Sequence, residues 1–472
     1  MSENKASRIE LAQEEEVVRI VDLYQSGEKI YTRRIKGFFR SLQHWTWLPL
    51  LSAYFLLPWI NLNGRQIVWF DLAERKFYVF GLTFWPQDFI LLAWLLIIAA
   101  FALFAMTVLV GRVWCGFTCP QTVWTMIFMW AEDFWEGDRN QRIKLDKAPW
   151  SFNKVVRKSG KQATWVLIAF LTGLTFVGYF NPIRELVVDL FRFDAELQVA
   201  FWVLFFAGAT YANAGFMREQ VCKYMCPYSR FQGSMFDADT LIVSYNQERG
   251  EGRGPRKKGE DYKAKGLGDC VDCTLCVQVC PVGIDIRDGL QYECISCGLC
   301  VDACNAVMDK MDYPRGLISF TTENTLKHKK TRILRPRLVG YVLAVVLMSA
   351  AFLYTMVSRV PVSVDVVRDR AMLYRELSSG EVENIYTLKI NNMDTRDHRY
   401  HIEVKGDYDF IYKGDEEVNV AEGEVLSVLV RLRLNPQEMT VPNTDVTFVV
   451  ESLTDDSVRG EQESRFLGPR NF

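Results

Sequence analysis

Five stretches of this 472-residue chain are almost free of charge, and they limit its fold more than any other feature. They run over 45–62, 86–110, 163–180, 199–216 and 338–357, and Asp88 is the one charged residue inside them. A helix of roughly 17–25 residues crosses a bilayer. In lipid every backbone polar group must be paired within the chain, so such runs can only be helices. Trp45, Trp47, Trp59, Trp85 and Tyr179 stand near the run ends, where interfacial anchors belong. Buried core helices are the alternative, and five uncharged runs fit it poorly. The chain-wide averages hide all this: net charge is −2 and mean hydropathy is zero. They exclude a strongly basic nucleic-acid binder and an acidic disordered chain.

Orientation follows from the Lys and Arg counts of the connecting segments. Segments 1–44, 111–162 and 217–337 hold 8, 9 and 19, whereas 63–85 and 181–198 hold 3 and 2. The first three are expected on the cytoplasmic side. The last two, and residues 358–472, are expected outside. The N-terminal segment is charged and lacks an apolar signal-peptide core, so the first run is read as the start-transfer signal.

All 12 cysteines fall in or at the start of the inward segments, which speaks for metal or redox chemistry rather than disulfides. Eight form Cys270-x2-Cys273-x2-Cys276-x3-Cys280-Pro281 and Cys294-x2-Cys297-x2-Cys300-x3-Cys304, the spacing of a bacterial two-cluster ferredoxin. Each triplet holds three irons of one cubane, and the fourth sulfur comes from the other motif. Cys270, Cys273, Cys276 and Cys304 are therefore expected on one [4Fe–4S] cluster. Cys280, Cys294, Cys297 and Cys300 are expected on the other. Asn305 replaces the usual Pro after the last cysteine. Zinc ribbons use C-x2-C pairs, not triplets. No haem-attachment, dinucleotide or Walker motif is present.

The other four cysteines form two C-x3-C-P units, Cys115/Cys119-Pro120 and Cys222/Cys226-Pro227, each just after an inward-running span. The chain thus reads as two similar blocks in one orientation, with a pseudo-two-fold axis along the membrane normal. Cysteines at i and i+4 share one side of a helix. The following proline disfavours helix at the second cysteine and starts a new one. Cys119 and Cys226 are expected at helix N-termini, where amides favour a thiolate. Four such thiolates make a soft site for Cu(I), zinc or a further iron–sulfur centre. Met225 lies inside the second motif and offers another soft sulfur, although packing is the commoner use of such a residue. Inert thiols in a helix interface are the alternative.

The expected organisation is a cytoplasmic arm (1–44), a four-helix membrane domain with the first motif (45–217), and a cytoplasmic region with the second motif (218–337). That region contains an α+β two-cluster ferredoxin-like domain over about 262–312. A fifth span (338–357) leads to a C-terminal all-β, Ig-like sandwich (358–472), whose short alternating strands contain no cysteine. Residues 63–85 read as an outer hairpin, and 120–136 as an interfacial helix.

These motifs and their order resemble the CcoG/FixG/RdxA family across nearly the whole chain apart from its N-terminal arm. Trp114-Cys115-Gly-Phe-Thr-Cys119-Pro120-Gln, Cys222-Lys-Tyr-Met-Cys226-Pro227-Tyr-Ser-Arg-Phe-Gln and the eight-cysteine unit carry the likeness. The resemblance implies a bacterial inner-membrane accessory protein for assembly of cbb-type haem–copper oxidase. It also implies cupric reductase activity, with the C-x3-C-P cysteines at the copper or redox site. The implied partners are an unnamed cytoplasmic electron donor, a copper chaperone or transporter, oxidase subunits, and a second copy of the chain, but no nucleic acid. The chain is also similar to quinol-dehydrogenase membrane subunits of the NapH and NosR type, which implies an alternative electron-transfer role. A non-redox assembly scaffold is the third reading.

Overall fold

The computed structural model describes residues 29–469 except Asn63, Arg370, Ala371, Thr395 and Asp456, and leaves aside the side chain of Gln87. The expected arm up to position 28 lies outside the described residues.

Among the described residues four helices are long and apolar enough to cross a membrane: Phe89–Val110, Phe152–Val177, Leu197–Met217 and Pro336–Val357. The first expected run behaves differently. Its helix, α1, covers Phe38–Leu56, so it starts two turns earlier than the apolar run and carries Arg40, Gln43 and His44 in those turns. A 3-10 turn at Leu57–Trp59 ends it before the run is complete. The remaining apolar stretch is too short to count among the four. Even so, α1 lies along the others: Tyr54 Oη donates to the Thr172 carbonyl at 2.8 Å, and Gln43 Nε2 to the Gly116 carbonyl at 2.9 Å.

Next in order come α2 (Phe89–Val110), α3 (Val113–Phe117), α4 (Pro120–Glu136), α5 (Arg139–Lys147) and α6 (Phe152–Val177). Helix α6 begins at Phe152, three turns before its apolar run opens at Ala163. Its added turns carry Lys154, Lys158 and Lys161, which are folded inward rather than solvated. Helix α4 is a helix as expected, with Trp130 and Phe134 exposed on it. Val123, Met126, Phe128, Glu132 and Glu136 are all buried. Glu132 is held by Arg142 (3.0 Å) and Arg218 (2.8 Å), and Glu136 by Lys158 (2.9 Å) and Lys161 (3.0 Å). Burial pushes the Glu132 carboxyl up, but the two guanidinium groups outweigh it and hold the group below the usual carboxylate range.

Helix α7 (Leu197–Thr210) continues as a π-helix through Met217, and a second π turn covers Val221–Met225 before α8 (Pro227–Met235). The segment expected outside is a three-stranded meander rather than a single hairpin: β1 (Val68–Asp71), β2 (Lys76–Val79) and β3 (Leu82–Phe84).

The ferredoxin unit is wider than 262–312. Strand β4 (Ile242–Tyr245) pairs antiparallel with β5 (Ile318–Thr321) and closes it, while α9 (Leu299–Met311) packs on β5. Asp302 of α9 accepts from the backbone N–H groups of Phe39 (3.2 Å) and Arg40 (2.9 Å) at the start of α1. It thereby satisfies two of the unpaired donors at that helix end. Helix α10 (Pro336–Val357) packs along α2 and leads to the C-terminal domain.

That domain is a two-sheet sandwich. One sheet has the order β9 (Ile411–Lys413), β11 (Val425–Leu434), β7 (Val382–Asn392), β6 (Val362–Arg368). The other runs β10 (Glu417–Val420), β8 (His398–Gly406), β12 (Asn443–Ser452), β13 (Arg459–Leu467). Every one of these pairings is antiparallel. Alternate residues such as Tyr386, Leu388, Ile390, Val430, Leu432 and Phe448 face inward and are fully buried.

Candidate metal centres

Each C-x2-C-x2-C loop is built the same way. Asp272 (φ 51°) and Ser296 (φ 53°) precede the second cysteines, and Thr274 (φ 54°) and Gly298 (φ 74°) follow them. Left-handed residues alternating with ordinary ones turn successive N–H groups toward one side, making a nest for an anionic group. Three of the four are not glycine, a strain that persists where function requires it. The third cysteine of each triplet then enters the first turn of a helix at Leu275 or Leu299.

The fourth cysteines cross over. One cavity is lined by Cys270, Cys273, Cys276 and Cys304, and a second by Cys280, Cys294, Cys297 and Cys300, with Cys276 also reaching its wall. The remaining walls are mostly apolar, with Tyr245, Val307 and Ile318 around the first and Val243, Val282 and Ile284 around the second. Burial pushes the Cys276 and Cys304 thiols up to about 12 and Cys294 up to about 11. Backbone N–H groups of Val282, Gly283 and Ile284 point at Cys280 and oppose the same shift. Such sulfurs stay protonated unless a metal centre replaces the protons. Among the described residues no three His, Cys, Asp or Glu groups converge closely enough to share one ion. Sulfurs ranged around a cavity, with amides aimed at them, fit a cubane better than a zinc ion, whose sulfurs sit about 2.3 Å from the metal.

The two C-x3-C-P units share their backbone in detail. Cys119 and Cys226 both cap a helix, α4 and α8, whose first residue is the proline. Cys119 N–H donates to the Trp114 carbonyl (2.9 Å) and Cys226 N–H to that of Val221 (2.8 Å). Thr122 Oγ1 donates to the Cys115 carbonyl (2.6 Å), and Ser229 Oγ to that of Cys222 (2.7 Å). Four residues before each first cysteine the chain kinks in one unusual conformation, at Gly111 (φ 56°, ψ −128°) and Arg218 (φ 41°, ψ −111°).

The two pairs lie near enough to feel one another's charge, but not close enough to share one ion in this arrangement. The charges of Cys119, Cys222 and Cys226 all act on Cys115, whose thiol burial pushes up to about 12. Cys222 is pushed up to about 11, again chiefly by burial. Burial also raises Cys119, against the N–H groups of Thr122 and Gln121 that donate toward it. The dipole argument from sequence is thus right about geometry and outweighed by desolvation. Met225 is 58% exposed, unlike the four partly buried thiols.

Nothing in the sequence hints at how close this four-cysteine site lies to the ferredoxin unit. Gly116, the residue after Cys115, packs directly on the loop between Cys294 and Cys297. A Cβ there would stand 2.7 Å from the Ile295 carbonyl oxygen and 2.8 Å from Cys297 Cα. Cys222 shares a small cavity with Pro281, Val282 and Ile295, which flank the second set of cluster cysteines. The Cys280/Cys294/Cys297/Cys300 site is therefore proximal to the four-cysteine site, and the Cys270/Cys273/Cys276/Cys304 site is distal.

Family models agree with the cysteine pattern. A 4Fe-4S dicluster domain matches residues 217–323, a 4Fe-4S binding domain matches 92–132, and the Ig-like fold at the C-terminus of FixG, described as a putative oxidoreductase, matches 352–469. The chain is 38% identical to the nitrogen fixation protein FixG of Rhizobium meliloti, over 79% of this chain and 78% of that protein. Protein RdxB of Cereibacter sphaeroides is 39% identical, over 82% and 84%, and RdxA of the same organism is 36% identical, over 92% and 95%. A crystal structure of a FixG-related protein from Vibrio parahaemolyticus aligns with 24% of this chain and 98% of its own, at 32% identity and TM-score 0.21. With iron–sulfur domains, membrane-length helices and this degree of identity over most of its length, the chain belongs to the FixG/RdxA family.

Proposed function

We propose that this protein reduces Cu(II) to Cu(I) at Cys115, Cys119, Cys222 and Cys226, drawing electrons from its ferredoxin unit, in support of cbb-type haem–copper oxidase assembly. The observation that carries this reading is the backbone contact of Gly116 with Ile295 and Cys297. It joins the soft-metal site to the proximal set of cluster cysteines with no intervening side chain. Cys270, Cys273, Cys276 and Cys304 would hold the distal [4Fe–4S] cluster, and Cys280, Cys294, Cys297 and Cys300 the proximal one. When bound, such clusters supply one-electron transfer, which is what Cu(II) requires. The thiolates favour the Cu(I) product and so pull the reaction forward. To hold the metal together, the two cysteine pairs would have to close further than they stand here.

In this reading the protein is a five-span protein of the bacterial inner membrane, with α1 as the first span and the two C-x3-C-P blocks as a repeat. The ferredoxin unit is cytoplasmic and the sandwich periplasmic, where it can meet oxidase subunits. A copper chaperone or transporter takes the Cu(I). The test is to replace Cys115, Cys119, Cys222 and Cys226 by Ala and follow Cu(II) reduction by purified protein whose clusters have been reduced. Unchanged reduction and copper binding would sink the assignment.

One observation favours a quinol-fed second reading. A cavity lined by Trp165, Lys161, Glu132, Arg218, Glu219 and Phe216 reaches Pro281, next to Cys280. Quinol-dependent cluster reduction in liposomes would establish that route.

A further inference from the structure

Arg112 lies three residues before Cys115, in the turn between α2 and α3, and is 4% exposed. Its guanidinium donates to the carbonyls of Ser229 and Tyr292. The Ser229 hydroxyl contacts the carbonyls of both Cys222 (2.7 Å) and Cys226 (3.0 Å), and Tyr292 stands two residues before Cys294. One side chain therefore bolts together the first cysteine pair, the second pair and the proximal cluster loop. Its Nε has no partner, and among the described residues no carboxylate pairs with it. A guanidinium buried without a counter-charge is strongly unfavourable. The groups its contacts reach that would carry negative charge around a bound metal are the sulfurs, through Ser229 to Cys222 and Cys226 and through Tyr292 toward Cys294.

Gln232 is fully buried as well, and its Oε1 accepts from Cys115 Sγ at 3.4 Å.

We propose that Arg112 is a counter-cation shared by the four-cysteine site and the proximal cluster, so that the charge on one sets the reduction potential of the other. This rests on the copper reading above. With a cluster held by Cys280, Cys294, Cys297 and Cys300, one electron given up to Cu(II) would leave that cluster oxidised and the copper as Cu(I). The negative charge moves from one side of the guanidinium to the other and stays in its field throughout. Arg112 is a positioning residue here, since it touches neither the metal nor the substrate.

The test is an anaerobic redox titration of the full-length protein in detergent, followed by EPR, with iron and sulfide content measured alongside. Cys294→Ser identifies the proximal signal. In R112Q the proximal midpoint should fall, because a nearby positive charge has been lost, while the distal midpoint stays. Cu(I) added to the wild type should lower the proximal midpoint, and the shift should shrink in R112Q. R112K should restore both effects. Unchanged midpoints in R112Q, or equal behaviour of R112K and R112Q, would overturn the proposal and leave Arg112 a mere clamp. Should R112Q lose a cluster, R112K decides alone: a wild-type proximal midpoint supports the proposal and a displaced one overturns it. A wild type that binds Cu(I) with neither midpoint moving also overturns it. A wild type that binds no Cu(I) instead overturns the copper reading.

Discussion

Replacing Gly116 by Ala tests the contact on which the proposed electron route depends. The added Cβ would meet the Ile295 carbonyl oxygen at 2.7 Å, Cys297 Cα at 2.8 Å and Cys297 N at 3.0 Å. Ordinary carbon–carbon contacts sit at about 3.5–4.0 Å. All three atoms are backbone, so no side chain can swing aside, and the two loops must part by roughly 0.7–1 Å. Overpacking of this kind costs about 1–3 kcal/mol. Alanine recovers up to about 1 kcal/mol of helix propensity within Val113–Phe117. The net loss of stability is therefore roughly 0–2 kcal/mol, and the chain should still fold and load its clusters. Function should suffer more, since a displacement of about 1 Å between reacting groups can cost on the order of 100-fold in rate. The assay reduces the protein anaerobically, mixes it with Cu(II) in a stopped-flow cell and follows reoxidation of the clusters. Gly340→Ala is the control, because a Cβ there meets nothing within 4 Å. Gly116→Ala should reoxidise at least about tenfold more slowly, with iron content unchanged. Wild-type reoxidation together with a wild-type melting temperature would refute the reasoning.

Other substitutions separate the structural layers. Arg142 and Glu132 are each 1% exposed and 3.0 Å apart, but Glu132 keeps Arg218 at 2.8 Å, so Arg142→Ala should cost about 1.5–3 kcal/mol for the lost charged hydrogen bond, read as a lower melting temperature in detergent. Asp302→Ala should loosen α1 from the ferredoxin unit by about 0.5–2 kcal/mol, seen as faster proteolysis near Gly37. Asp88→Ala removes the 2.6 Å partner of Arg359, which joins the start of α2 to the end of α10; a loss of about 1.5–3 kcal/mol should appear as a lower melting temperature. Asp146 carries the pH prediction. Burial pushes its carboxyl up, but Lys158, Tyr31 and Lys29 donate to it and hold it well below its usual value. Because the folded value is depressed, the stability it contributes is complete above about pH 4 and is lost as pH falls further. Protease cleavage near Lys29 should accelerate below about pH 4 in the wild type and be fast at neutral pH in Asp146→Asn.

How much was legible in the sequence depends on how local each feature is. The triplet spacing encodes which cysteines share a cavity, because a C-x2-C-x2-C loop leaves few ways to turn. Pro120 and Pro227 encode the two helix starts for the same reason. The limits of the spans were less legible. Hydropathy marks where lipid contact is dense, but α6 extends back to Phe152 on lysines whose charges are paired inside. Likewise, the run at 45–62 gave no sign that its helix would start at Phe38, because Asp302, which caps it, lies far along the chain in the ferredoxin unit. Strands β4 and β5 flank the cysteine motifs at a distance and span four residues each, too short to stand out before their partner is known.

The two C-x3-C-P units also teach something through their differences. Their backbones share the kink at Gly111 and Arg218 and the caps at Cys119 and Cys226, with an α turn between them in one unit and a π turn in the other. The residue after the first cysteine is Gly116 in one unit and Lys223 in the other. Gly116 lets the first unit touch Ile295 and Cys297 backbone to backbone. Lys223 brings a positive charge to bear on Cys280. Both positions thus address the same set of cluster cysteines, from different sides and by different means. The residue three before the first cysteine diverges in the same way: Arg112 is buried between the units, and its counterpart Glu219 lines the cavity that reaches Pro281. Two units whose shared positions build the thiol site, and whose divergent positions meet one neighbouring set of cysteines, would give the metal site a single electrical neighbour. A chain without that asymmetry would need one surface of the ferredoxin unit to fit both units equally.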